Sequence, residues 1–229
     1  SDLRRMIVRQ KIKTKLDQLK AQGAHYIDAR WYPREDQNML FVWNGNLKEN
    51  TVSSQSGLGV RVLYNGAWGF SASSDLSNLD AIFDQALDNA RAASERVTFP
   101  VRLAEKDAVR ATFSSPNQID PFEVGLDEKV AFLQKLDQAL NQPGVAQRLS
   151  YLDFVRKQII FMDSEGSEIE KNIIEVFPGM RIVGVDQDGG MQSLKYLPGR
   201  TGPTRGWESI SEADFLHNAD RLVREMNEL

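Results

Sequence analysis

The sequence predicts an α+β protein in which antiparallel sheets pack against long amphipathic helices in two lobes. Three observations predict it. Two Asn-Gly pairs, Asn44-Gly45 and Asn65-Gly66, each sit between runs rich in apolar and aromatic residues, and Asn-Gly suits the positive φ angles of a type I′ hairpin turn. Four segments carry apolar residues at helical spacing. Between 145 and 197, β-branched and aromatic runs are broken by turn residues at intervals of about ten.

Along the chain, Leu3, Ile7, Ile12, Leu16 and Leu19 mark an amphipathic helix ending near Gly23. His25, Ile27, Ala29 and Trp31 then alternate with Tyr26, Asp28, Arg30 and Tyr32 as in a strand, which Pro33 is expected to stop. MLFVW at 39–43, Asn44-Gly45 and a polar strand to about Ser54 form one hairpin, and Asn65-Gly66 forms another. Leu76, Leu79, Phe83, Ala86, Leu87, Ala90 and Ala93 make a stripe for a covering helix, with Asp75 or Ser77 as its N-cap. A short strand is expected over Val109 to Phe113. The next helix, capped by Asp127, shows Val130, Leu133, Leu136 and Leu140 on one side until Pro143-Gly144. The strand meander follows, with turns at 164–166, 178–179 and 188–190. PGRTGPTRG reads as a linker. Ala213, Leu216, Ala219, Leu222, Val223, Met226 and Leu229 mark a last helix, still apolar where the sequence ends. That stripe suggests a longer protein or a docking partner. The expected organisation is a helix, hairpin sheet and covering helix over 1–100, a helix and strand meander over 101–200, and a linker and helix over 201–229.

The 229 residues are 41% hydrophobic and 26% charged, an ordinary globular balance. With a net charge of −4 and Lys and Arg spread through the chain, nothing marks a nucleic-acid surface, and no direct nucleic-acid partner is expected. No run approaches the roughly 18 apolar residues of a membrane helix, and the opening SDLRRMIVRQKIK lacks the apolar core of a secretory signal. No membrane partner and a cytoplasmic location are therefore expected. The first residue is Ser, so a targeting signal removed before it stays open.

Cysteine is absent, which excludes disulfides, thiolate catalysis and cysteine-ligated metal. The two histidines, His25 and His217, stand too far apart for an HExxH-like motif on one helix, and no GxSxG elbow occurs. His25 reads as a semi-buried strand residue and His217 as a surface or interface residue. Gly57-Leu58-Gly59-Val60 is half of a phosphate-binding GxGxxG, but a strand follows it rather than a helix. Asp163 with Glu165 and Asp186 with Asp188 fall in turns, where Asp serves local backbone hydrogen bonding. No catalytic residue and no metal ligand can be named from the sequence.

GLGVRVLYNGAWGFSASSDL at 57–76 and the helix LDAIFDQALDNARAAS after it resemble the N-terminal region of the TldD/PmbA family, the modulators of DNA gyrase. The GAWGF element is more similar to the TldD branch. The D-S-E-G turn at 163–166 and R-G-W-E at Arg205 to Glu208 agree with it. The resemblance implies a zinc metallopeptidase that works as a dimer of family subunits, homo- or heterodimeric, and cuts unstructured peptides. It places the metal in an HExxxH motif downstream of the matched region, which this sequence does not contain. The intact parent is thus expected to be a zinc enzyme, and this chain alone to be inactive and zinc-free. Its expected part is assembly and substrate guidance; the alternative is a non-catalytic binding module, a PmbA-like partner or gyrase modulator.

Arg61, Trp68 and Phe70 are the candidates for substrate or interface contact. Trp68 and Phe70 share a face of the strand after Asn65-Gly66, and Arg61 can pair across it. Two readings stay open: the aromatics are core with Arg61 packed over them, or the hairpin or a neighbouring edge strand receives a peptide through main-chain hydrogen bonds. If the ring is buried, Trp68→Ala costs on the order of 3 kcal/mol.

Overall fold

A computed structural model describes residues 2–198 and 205–229. Its four α-helices are α1 (Asp2–Ala21), α2 (Leu79–Ser94), α3 (Leu126–Leu140) and α4 (Glu212–Glu228). The strands are β1 (Tyr26–Trp43), β2 (Asn46–Tyr64), β3 (Ala67–Ser73), β4 (Arg110–Ser114), β5 (Val145–Asp163), β6 (Glu168–Val185) and β7 (Met191–Tyr196). They pair into one seven-stranded sheet in the order β3-β2-β1-β5-β6-β4, with β7 also on β6. The α+β class is therefore that of the structure, with a single sheet in place of separate ones. The β4–β6 pair is parallel, whereas β2–β3 and β6–β7 are antiparallel. None of the described helices is long and apolar enough to cross a membrane.

Both Asn-Gly pairs make the expected turns, with φ of 45° at Asn44 and Asn65 and 79° at Gly45 and Gly66. Two expected breaks are absent. Pro33 lies inside β1, because its fixed φ suits extended backbone and costs only one ladder donor. Pro178-Gly179 lies inside β6, where Gly179 makes room rather than a turn: a Cβ there would come within 2.5 Å of the Tyr151 ring. Two caps also shift. Asn78, not Asp75 or Ser77, caps α2 by accepting from the Ala81 amide at 3.3 Å, while Asp75 accepts from the Ser77 amide in the turn before it. Gly125 precedes α3, and Asp127 sits in the first turn, favourably placed for the helix dipole. Most of the expected linker, residues 199–204, lies outside the described residues.

The chain divides into two compact units, and β1, β2, β5 and β6 each contribute a stretch to both. Unit 1 is Ser1–Glu35, Gln55–Ser114 and Lys157–Asn172. Every second residue of its strands turns to one side: Ile27, Ala29 and Trp31, Leu58, Val60 and Val62, Ile160 and Met162. These meet the apolar stripes of α1 and α2, whose Leu16, Leu19, Phe83 and Leu87 are buried with them. Arg9 of α1 binds both Glu168 and Glu170, and Lys13 reaches Glu168 at 3.0 Å, so those carboxylates also point to the helix side.

Unit 2 is Asp36–Ser54, Ser115–Arg156 and Ile173–Leu229. Its core joins Leu40 and Val42, Leu152 and Phe154, Ile174, Met180 and Ile182 to the stripes of α3 and α4. Trp207, in a short 3-10 turn, sets its ring against Phe132 and Phe154 at 6.2 and 6.0 Å. Lys129 is buried here, bonded to Asn38 Oδ1 at 2.9 Å and placed over the Phe154 ring, and burial lowers its pKa.

Candidate functional site

The second hairpin of unit 1 explains its own sequence. Ala67 and Gly69 of GAWGF turn inward, and Gly69 lies so close to α2 that a Cβ would come within 2.2 Å of the Ala86 carbonyl oxygen and 2.3 Å of the Ala90 amide nitrogen. By strand alternation Trp68 and Phe70 face the opposite way, onto the side of the sheet that α1 and α2 leave uncovered. Trp68 is half-buried and Phe70 is 60% exposed, which corrects the reading of the aromatics as core. Phe70 lies over Gly59, whose missing side chain leaves space for the ring.

Arg61, directly opposite Phe70 in the ladder, is anchored on Asp28 of β1. Its Nε lies 3.2 and 3.1 Å from the two carboxylate oxygens, and its Nη2 donates to Oδ2 at 2.5 Å. The Asp28 side chain is only 3% exposed, so the guanidinium is what balances a carboxylate out of reach of water. That bond raises the Arg61 pKa. With its position fixed, the guanidinium lies over the Trp68 ring at 4.9 Å. Trp68 in turn meets the Tyr26 ring edge-on at 6.0 Å.

Tyr26 carries the band onward. Burial, with Asp28 and Asp163 nearby, pushes its hydroxyl far above the ordinary value, so it remains a donor, facing Asp163 Oδ2 at 3.4 Å. Asp163 also accepts from Lys106 Nζ at 2.6 Å and from the amides of Glu165 and Ser167. The Asp163-Glu165 pair is thus a turn that fixes Lys106 over the rings of Tyr26 and Phe161, at 5.3 and 6.0 Å. Asp186 does the same kind of work locally in unit 2, accepting from the Asp188 and Gly190 amides and from Gln192.

Burial alone would raise the Asp163 pKa, but Lys106 and the two amides outweigh it and hold the carboxyl below its ordinary value. A depressed carboxylate pKa gives stability that is present above the unfolded value and lost as pH falls through the folded one. Unit 1 is therefore expected to lose stability below about pH 4, and Asp163→Asn to flatten that loss; a thermal-unfolding series against pH checks it. Trp68, being half-buried, is expected to cost about 1 kcal/mol on truncation to Ala, measured by urea unfolding, rather than the larger loss of a buried ring.

Beside the hairpin, His25, Tyr26, Asn65, Gly66, Arg102 and Glu165 border a pocket of about 470 Å³. The 100–101 segment closes it: Val101 N–H donates to the Gly66 carbonyl at 2.8 Å. His25 is exposed at the pocket, because the strand begins one residue later and its inward phase starts with Ile27. His217 is exposed on α4 in unit 2. Among the described residues no group of three or more His, Cys, Asp or Glu side chains is arranged to hold a metal ion. The zinc implied by the resemblance finds no fitting ligand set here.

Residues 32–90 match "PmbA/TldA metallopeptidase domain 1" and residues 119–228 match "PmbA/TldA metallopeptidase central domain". A metalloprotease of Methanocaldococcus jannaschii is 27% identical over 180 residues, 77% of this chain and 39% of that protein. A metalloprotease of Archaeoglobus fulgidus is 27% identical over 187 residues, 80% of this chain and 41% of its own. Among solved structures, a candidate modulator of a DNA gyrase from Thermotoga maritima superposes with a TM-score of 0.69 at 15% identity, over 94% of this chain and 47% of that one. TldE from Thermococcus kodakarensis gives 0.61 at 14% identity, over 96% and 47%. The chain thus spans about two fifths of the length of these curated relatives, and the two superpositions speak to fold alone. By its matched first and central domains, the chain belongs to the PmbA/TldD metallopeptidase family.

Proposed function

We propose that this chain is the assembly and substrate-guiding region of a TldD-like zinc metallopeptidase of unstructured peptides, the metal being held outside these residues. The observation that carries the reading is the outward band of Arg61, Trp68 and Phe70 at an open sheet edge: β3 ends the strand order and, among the described residues, pairs with β2 alone. In the two-residue hairpin the ladder bonds alternate, so Tyr64–Ala67 and Val62–Gly69 bond to each other while the backbone groups of Trp68, Phe70 and Ala72 point away from β2. Asn89 of α2 takes one of them, donating to the Phe70 carbonyl at 2.8 Å. Among the described residues nothing takes the others, which can pair with an extended chain. Recognition through main chain and aromatic surface tolerates many sequences but needs an unfolded one, which suits a peptidase that spares folded proteins. In this reading a family subunit, the same or different, supplies the rest of the chamber.

Binding of unstructured peptides by the chain, followed by amide hydrogen exchange, tests it. The expected result is slower exchange at Trp68 and Phe70 when peptide is present. No binding of any unstructured peptide, or binding that leaves these amides unchanged, would overturn it.

A further inference from the structure

We infer that the face of unit 1 opposite α1 and α2 carries a subsite selective for peptide segments in which apolar residues are flanked by carboxylates. The inference rests on the guiding role above and names the class of substrate it favours. Three neighbouring strands each give an i, i+2 pair to this face: Arg30 and Tyr32 from β1, Ile159 and Phe161 from β5, Ile169 and Lys171 from β6. Together they line a groove of about 400 Å³. Their sequence neighbours show the phase. Trp31 and Ile160 are buried in the core, and Glu168 and Glu170 are bound to Arg9 on the helix side.

The groove has an apolar floor and two cationic flanks. Ile159, Phe161 and Ile169 are only partly buried, so the floor is accessible to an apolar side chain. Arg30 and Lys171 are exposed, and Arg30 lies over the Phe161 ring at 5.9 Å. Neither has a carboxylate partner among the described residues, in contrast to Arg61 and Lys106, which are matched by Asp28 and Asp163. Two unmatched cations beside apolar surface are complementary to an anionic, apolar segment, and they disfavour a basic one by like-charge repulsion. A chain of contacts links the groove to the hairpin: Phe161 is shared by Arg30 and Lys106, Lys106 reaches Tyr26, and Tyr26 touches Trp68. A chain entering along β3 would meet one band of alternating rings and cations.

The test is fluorescence anisotropy with labelled, unstructured peptides of equal length and equal leucine content, differing only in carrying Asp, Asn or Lys beside the leucines. The Asp peptide is expected to bind tightest and to weaken with added salt. In Arg30→Glu/Lys171→Glu, both exposed sites, its affinity is expected to fall about tenfold and the preference to turn toward the Lys peptide. Thermal unfolding verifies that the variant is folded. Equal binding of all three peptides, unaltered by the charge reversal, would overturn the subsite while leaving peptide guiding intact; no binding of any would overturn both. A change of sedimentation between parent and variant, with no change in peptide affinity, would make this face a self-association surface and overturn the inference as well.

Discussion

Replacing Gly69 with valine is expected to destabilise unit 1 by about 3 kcal/mol or more, lowering the melting temperature by about 10 °C. Gly69 has an ordinary extended backbone and lies in a strand, so valine suits it conformationally. The obstacle is contact. A Cβ at this point would overlap the backbone of α2 at Ala86 and Ala90, which cannot rotate aside as a side chain could. Relief requires α2 to lift from β3, uncovering Phe83, Leu87 and Ala90, which are buried against the sheet. Even Gly69→Ala should be markedly destabilising, because the clash begins at the first carbon. Gly57→Ala supplies the contrast on the same hairpin: its added carbon meets nothing closer than 3.5 Å and should change stability by less than about 1 kcal/mol. Equal effects of the two alanines in calorimetry would contradict the close approach of α2.

Phe215→Ala is expected to cost about 3 to 5 kcal/mol in unit 2. The ring is 2% exposed and meets Phe132 edge-on at 5.5 Å and Tyr196 at 5.2 Å. It thereby ties α4 to α3 and β7 within the unit's core. Removing it leaves a cavity lined by rings whose positions are fixed by other packing, so little collapse can compensate. Denaturant unfolding followed by circular dichroism measures the loss. A loss under about 1 kcal/mol would contradict the packing described.

These residues also show where the sequence was legible. Helical spacing located α4, but the stripe drawn through Ala213 and Leu216 missed Phe215, the residue between helix and core; a one-residue difference rotates a helix face by about 100°. Both Asn-Gly turns were readable because local backbone preference decides them. The long strands were not, because β1 and β6 run on through Pro33 and Pro178-Gly179 in extended backbone, where the sheet outweighs their local preference for a break. Arg61, Trp68 and Phe70 lie together on one hairpin, as their spacing around Asn65-Gly66 implies. Which way they faced depended on α2, brought against the other side of β3 by Gly69. Asp28, Tyr26 and Lys106, the groups that fix and extend the band, come from distant parts of the chain and carried no local signal.

In the proposed function these residues guide a peptide while the hydrolytic metal is held elsewhere. Its most direct test is elemental analysis of the purified chain after incubation with zinc and dialysis, joined to a cleavage assay on an unstructured peptide. Zinc well below one ion per chain and no cleavage are expected. One retained zinc per chain together with turnover would contradict it.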